Sequence, residues 1–320
     1  MTTRAAALFA AVSVVWGIPY LLIKIAIDDG VPPVFLAWAR IALGAAALLT
    51  VVPWRDVARA LRSRLGWIAG FALAELVLPF PLIATGEQHV SSSLAAILIA
   101  AAPLFVALLA PWFDASERVS GRRLIGLVLG LAGVTALMGI DISGRLDELL
   151  GGVAILAAAL CYAVGPMVLK RKLGDLDPRI SMAASLVVAA LALAPAAATQ
   201  LPTALPSATA LAALIALGIV CTAAGLVLYG MLVSELGAGR SLVVTYLNPL
   251  LAVGLGIAIL GERPGAGTVA GLILILAGSY LSTGGAAGPE CEPARRRAAK
   301  SGHRAEPGRR AVTQTLNEEA

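Results

Sequence analysis

The 320-residue chain is 59% hydrophobic and 13% charged, with 24 Lys and Arg against 19 Asp and Glu for a net charge of +5. A soluble domain carries about 25% charged residues because its surface must face water. A soluble enzyme, a nucleic-acid-binding domain and a disordered protein are therefore excluded, leaving an all-α polytopic membrane protein. The three cysteines add no disulfide framework or zinc site: Cys161 and Cys221 lie in apolar runs, Cys291 lies in a polar tail, and no CxxC occurs.

Crossing about 30 Å of hydrocarbon needs about 20 apolar residues in a helix, and ten segments qualify. The first, residues 5–27, is too long for a signal-peptide core and is followed by Asp28-Asp29, so it reads as an uncleaved helix carrying Trp16 and, close to one end, Lys24. The second (34–52) carries Arg40 and the third (65–85) has Glu75 at its midpoint. The fourth (93–113) follows Ser91-Ser92-Ser93, which can cap it and leave its positive end facing an anion. Pro103 sits in its middle. The fifth (124–140) holds Gly126, Gly130 and Gly133, spaced for close helix packing. The sixth (151–169) contains Tyr162, and the seventh covers 180–198. The eighth (208–232) contains Tyr229, and the ninth (240–260) contains Tyr246, Asn248 and Pro249. The tenth (267–283) repeats the small-residue pattern with Gly267, Gly271 and Gly278. Residues 285–320 are expected to form a disordered, basic cytoplasmic tail with Arg295-Arg296-Arg297 placed to lie near anionic lipid headgroups.

Charge sets the direction of threading. Twenty Lys and Arg fall in the terminal segments and the loops of one side, against Arg145 and Arg263 on the other. This asymmetry predicts that both termini are cytoplasmic in the cell membrane.

The chain also repeats itself at an interval near 146 residues. Trp16 and Lys24 match Tyr162 and Lys170, and Pro103 matches Pro249. Glu117, Gly126 and Gly133 match Glu262, Gly271 and Gly278. Each half has five helices, an odd number, so the second must enter the membrane upside down. Inverted repeats place a substrate site at the midplane between two halves that exchange conformations.

The residues that carry the repeat also carry a likeness. VVWGIPYLLIKIAI, FLAWARIALGAAALL and APLFVALLAPWFDASERVSGRRLIGLVLGLAGV in the first half, with LNPLLAVGLGIAILGERPGAGTVAGLILILAGSYL in the second, resemble the EamA-type repeats of the drug/metabolite transporter superfamily. The resemblance covers residues 5–140 and 151–283 and implies ten helices as two inverted five-helix repeats around a central cavity. It further implies export of small metabolites or amino acids, and it covers an Arg at Arg40 and a Lys at Lys24.

Charges in hydrocarbon are costly and usually face an aqueous or protein interior, so Lys24, Arg40 and Glu75 are the first candidates for the pathway. Arg40 and Glu75 lie at similar depth on neighbouring spans. They form either a permanent bridge locking two helices or a pair of separate cavity groups. In the second case Arg40 meets an anionic group on the substrate, and Glu75 carries a proton or meets an amine. Lys24 either lines the pathway or snorkels to the headgroups. Trp16, Tyr162, Tyr229 and Tyr246 are polar-tipped aromatics at depth that need partners. Asn248 needs partners for its amide, while Pro103 and Pro249 each free a backbone carbonyl and are expected to break their helices. Glu117 and Glu262 precede helix starts and are expected to interact with the positive ends of those helices.

No phosphate-binding loop and no nucleophile–base pair appears, so no enzyme activity and no cofactor is expected. His89, without Cys or His companions, carries no metal role. The partners expected are a small-molecule substrate, lipid and, as coupling ion, protons. The competing readings are a multidrug-type exporter of lipophilic cations using Glu75, and a membrane enzyme or scaffold that moves nothing.

Overall fold

The computed structural model describes residues 2–113, 121–140, 145–236 and 244–282. Glu117, Arg118, Arg240 and the basic tail at 285–320 lie outside them. Among the described residues every regular element is helical. Seven stretches are long and apolar enough to cross a membrane: Thr3–Asp28, Pro33–Val51, Trp54–Gly86, Ser92–Leu109, Leu146–Leu173, Pro178–Ala198 and Ala208–Leu232. Leu124–Met138, Tyr246–Leu260 and Ala266–Leu281 are shorter apolar helices. The chain is a multi-pass integral membrane protein.

Prolines and small polar residues set the helix ends. Helix α1 (Thr3–Gly17) stops where Pro19 begins α2 (Pro19–Asp28), since a proline ring is favoured in a first turn and disfavoured within a helix. Pro33 opens α3 (Pro33–Val51), and Pro53 caps α4 (Trp54–Ala72). The first ten residues of α4 are amphipathic, and non-helical backbone at Arg64 (φ −141°, ψ 26°) separates them from the apolar part. That kink is where the sequence places the start of its third span.

Three stretches widen to π-helical turns: Leu73–Val77, Leu169–Leu173 and Ala216–Ala224. Between the first and α5 (Pro79–Gly86), the Leu78 N–H reaches the Leu73 carbonyl at 3.1 Å, five residues back. The fourth span is broken into α6 (Ser92–Ile99) and α7 (Ala102–Phe113). Ser91 caps α6 by accepting from the Leu94 N–H at 3.2 Å. Helices α8 (Arg122–Ile140) and α9 (Leu146–Val168) follow, then α10 (Pro178–Ala198) and α11 (Ala208–Ile215). Beyond the third π stretch come α12 (Gly225–Leu236), α13 (Val244–Leu260) and α14 (Ala266–Ser282).

Two close approaches between helices shape the interior of the bundle. Helices α8 and α14 pack so tightly that a Cβ on Gly278 would run into the backbone of Gly130, the use expected of that glycine pattern. On the other side of the bundle, a Cβ on Gly218 would lie 3.0 Å from the Arg40 carbonyl and 2.5 Å from the Leu43 Cβ. This contact presses α3 against the third π stretch and brings Arg40 to Thr222.

The two prolines expected to break their helices behave differently. At Pro103 the helix opens, and the Ala100 carbonyl instead accepts from the Ser279 hydroxyl at 3.1 Å. At Pro249 helix α13 runs on without a break. One missing donor in a helix packed on both sides is not enough to interrupt it.

Candidate functional site

A cavity of about 280 Å³ lies inside the bundle, walled by residues of both halves of the chain. Trp16, Arg40, Glu75, Pro103, Tyr162, Tyr229 and Asn248 all line it, as do Tyr20, Phe80, Pro166, Cys221 and Thr222. Lys24, Tyr246 and Pro249 do not. Lys24 instead pairs with Asp28 at 3.0 Å, one turn on, and donates to the Glu87 main-chain carbonyl at 3.2 Å. Tyr246 donates to the Ser279 carbonyl at 3.0 Å, so its hydroxyl ties α13 to α14.

Arg40 and Glu75 do not form the bridge that similar depth suggested. The Arg40 Nε and Nη2 both donate to the Thr222 hydroxyl, at 3.2 and 3.1 Å. One oxygen can take both because its own proton is directed elsewhere, to the Leu217 carbonyl at 2.8 Å, leaving two lone pairs to accept. The guanidinium also lies over the Phe80 ring, 4.0 Å from its centroid, a cation–π arrangement. The residue is buried, and among the described residues no carboxylate forms an ion pair with it.

Glu75 is held on the first π stretch, against α9. A Cβ on Gly165 would collide with its carboxylate, and one oxygen, Oε2, has no hydrogen-bond partner. The Asn248 Oδ1 is likewise unpartnered. Trp16 donates to the Cys221 carbonyl at 3.3 Å and packs on Tyr229 with ring centroids 4.7 Å apart. The repeat mates Trp16 and Tyr162 thus both reach the cavity. The site offers a cation on one wall, an unpartnered acid on another, and aromatic surface between them. Burying an unsatisfied carboxylate oxygen and an amide oxygen costs free energy, which a ligand bearing donors would recover.

Sequence reasoning missed Tyr20, Phe80, Pro166 and Thr222. None is unusual in an apolar span. Only contact across 182 residues marks Thr222 as the partner of Arg40. Glu262 was expected to stay with the helix that follows it. Instead its carboxylate accepts from the Ser92 N–H (2.8 Å), the Ser92 hydroxyl (2.9 Å), the Ser93 N–H (3.1 Å) and the Ser93 hydroxyl. The positive end it neutralises is that of α6, in the other half.

A sequence model described as the EamA-like transporter family matches residues 3–139 and 149–284. A "Probable amino-acid metabolite efflux pump" of Salmonella typhimurium is 26% identical over 291 residues, covering 86% of this chain and 93% of that protein. Its namesake in Escherichia coli K12 is 25% identical over 295 residues, covering 89% and 96%. An uncharacterized inner membrane transporter of the same strain is 28% identical over 263 residues, covering 80% and 82%. One crystal structure superposes with a TM-score of 0.60 at 20% identity, over 88% of this chain and 98% of its own, a likeness of fold.

Proposed function

The chain belongs to the EamA-like transporter family, and from that premise we propose that it exports small zwitterionic metabolites, amino acids among them, by alternating access. The carrier comprises ten helices in two inverted halves, 5–140 and 151–283, with both termini in the cytoplasm. Export is the direction carried by the names of the relatives in Salmonella typhimurium and Escherichia coli.

The observation that carries the substrate class is the unpaired state of Arg40 and Glu75 in one cavity. A guanidinium recognises a carboxylate, and the free Glu75 oxygen accepts from an ammonium. Lys24 lies outside the cavity lining and acts at the headgroup level. The aromatic walls and Glu75 would also suit a lipophilic cation, but the buried Arg40 repels one.

Counterflow in proteoliposomes tests the reading. Vesicles loaded with an unlabelled amino-acid mixture should accumulate labelled apolar and aromatic amino acids. Arg40→Gln should abolish uptake of the amino acid while sparing binding of the corresponding amine. Glu75→Gln should do the converse, losing the amine. Accumulation of lipophilic cations with none of amino acids would overturn the proposal in favour of multidrug export.

A further inference from the structure

Between the cavity and the end of the bundle that carries few basic residues lies a second acidic cluster. Glu87 caps α5, its N–H bonded to the Ile83 carbonyl at 2.9 Å. It is 0% exposed, and neither carboxyl oxygen has a hydrogen-bond partner. Lys24 bonds only the main-chain carbonyl of this residue and directs its ion pair to Asp28. The groups that face the Glu87 carboxyl are Lys24, Asp28 and Tyr20 of α2, Arg40 of α3, and Glu262 beyond α13. One of these, Glu262, is the carboxylate that holds the start of α6 through Ser92 and Ser93.

That latch is built to close tightly. The Glu262 N–H is turned back onto the Gly256 carbonyl at 3.0 Å, and Gly261 takes the left-handed conformation (φ +66°) that makes the turn. A Cβ on Gly256 would lie 2.5 Å from Glu262 Oε2 and 2.7 Å from Ser93 Oγ, so only glycine lets the two sides meet. The latch joins the two halves of the chain at the end where an outward-facing carrier must open.

We propose that Glu87 is a proton-binding site beneath this latch, and that closing the latch takes up one proton there. Ionised, Glu87 would face Glu262 with no hydrogen bond to either carboxyl oxygen, Lys24 and Arg40 acting on it only through space; protonated, it adds no charge and leaves Glu262 to the serines. Burial pushes the Glu87 carboxyl well above its ordinary range, Lys24 opposing the shift and Glu262 reinforcing it. By linkage, the closed form binds the proton more tightly than the open, hydrated form. Closure is favoured as pH falls and weakens as pH rises through the raised value. The proton is taken from the outer face on closure and returned there on opening, so Glu87 sets the pH dependence of outward closure. The inference rests on the alternating-access reading above and assigns the pH response of outward closure to Glu87, leaving Glu75 to the substrate.

Spin labels at His89 and Arg263, both exposed, would span the latch once Cys161, Cys221 and Cys291 are replaced by Ala. Placing one label at His89 also removes the nearest imidazole as a source of pH response. The inter-label distance in proteoliposomes should be short at pH 5 and gain a longer population by pH 8.5. Glu87→Gln should remain short at both values, Glu87→Asp should keep the response with a shifted midpoint, and Glu262→Gln should be long at both. A pH response that persists unchanged in Glu87→Gln, or a wild-type distance unmoved across the range, overturns the proposal. Should Glu87→Gln not yield monodisperse protein, an unshifted midpoint in Glu87→Asp does the same. No substrate is present, so failure here leaves the substrate assignment standing.

Discussion

Arg40 is anchored by Thr222 and not by Glu75, and the energetic consequence can be worked out in advance. Removing the hydroxyl in Thr222→Val deprives the guanidinium of an acceptor for two donors. Hydrogen bonds to charged groups contribute about 1.5–3 kcal/mol in soluble proteins, but interhelical bonds in a membrane average about 0.6 and reach about 1.7 kcal/mol. Two bonds from a charged donor converging on one oxygen belong at the upper end of the membrane scale. The expected coupling between Arg40→Leu and Thr222→Val is therefore about 1–2 kcal/mol.

The Arg40–Glu75 pair should behave in the opposite way. With no contact between them, single and double Leu variants should add to within about 0.5 kcal/mol, and Arg40→Leu/Glu75→Leu should not regain abundance. A permanent bridge predicts rescue instead, because stranding one member of a buried pair typically costs about 3–5 kcal/mol that the double variant recovers. Unfolding by SDS titration in mixed micelles, with chromatographic yield as a second readout, measures both cycles. Coupling above about 1 kcal/mol for Arg40 with Glu75, or none for Arg40 with Thr222, would refute the assignment.

Other expectations are more local. Gly278→Val should destabilise the protein by at least about 1–3 kcal/mol, because the side chain meets the Gly130 backbone and neither can move aside; thermal unfolding followed by size-exclusion fluorescence reads this. Pro103→Ala should depress transport, since it removes the cause of the break between α6 and α7 in the cavity wall, whereas Pro249→Ala, inside an unbroken helix, should leave transport near wild type. The hydrogen bonds of Arg64 hold the Asp175 carboxyl below the usual carboxylate range. That contact should persist above about pH 4 and be lost only as pH falls through the depressed value, as hydrogen exchange over residues 172–176 would report. Asp175→Asn should remove the pH dependence. Reporter fusions after residues 60 and 175 should read cytoplasm, and those near 30 and 203 the outside.

Much of this architecture was legible in the sequence because the hydrocarbon imposes few rules and applies them uniformly. Apolar runs bounded by Pro33, Arg64, Ser92 and Pro178 give helix limits within a few residues of those observed, since the same residues start, kink or cap a helix in any context. Trp16, Arg40, Glu75, Tyr162, Tyr229 and Asn248 could be found because a polar group at depth must have a reason to be there. What pairs with what was not legible. Depth along two spans says nothing of azimuth, so equal depth made Arg40 and Glu75 look like partners when α3 in fact faces the third π stretch. Glu87 sits at a segment end and gives no signal in the sequence, and Glu262 points only to the helix after it; the burial of Glu87 and the contact of Glu262 with α6 arise only when the α5–α6 and α13–α14 turns meet.

The π turns hold a second relation between the halves that hydropathy does not encode. Shifted by the 146-residue interval of the repeat, Leu73–Val77 falls on residues 219–223, inside the observed Ala216–Ala224. Both halves thus widen their helix at the equivalent place. Each widened turn delivers a cavity residue: Glu75 from the first, Thr222 with Cys221 from the second. A π turn adds a residue without ending the helix and is frequently found at functional sites. It rotates the following turns, so each half can aim a polar group inward while its flanking turns keep an apolar face to lipid. The chemistry at the two places has diverged, acid in one half and hydroxyl in the other, and the difference has a physical use. The hydroxyl holds Arg40 without neutralising it, and the acid stays unpaired. Had both halves carried a carboxylate, Arg40 would have been paired within the protein. An apolar residue at both would have left a guanidinium buried with no acceptor. The asymmetric pair is the arrangement that leaves a guanidinium and a carboxyl group available in one cavity at once.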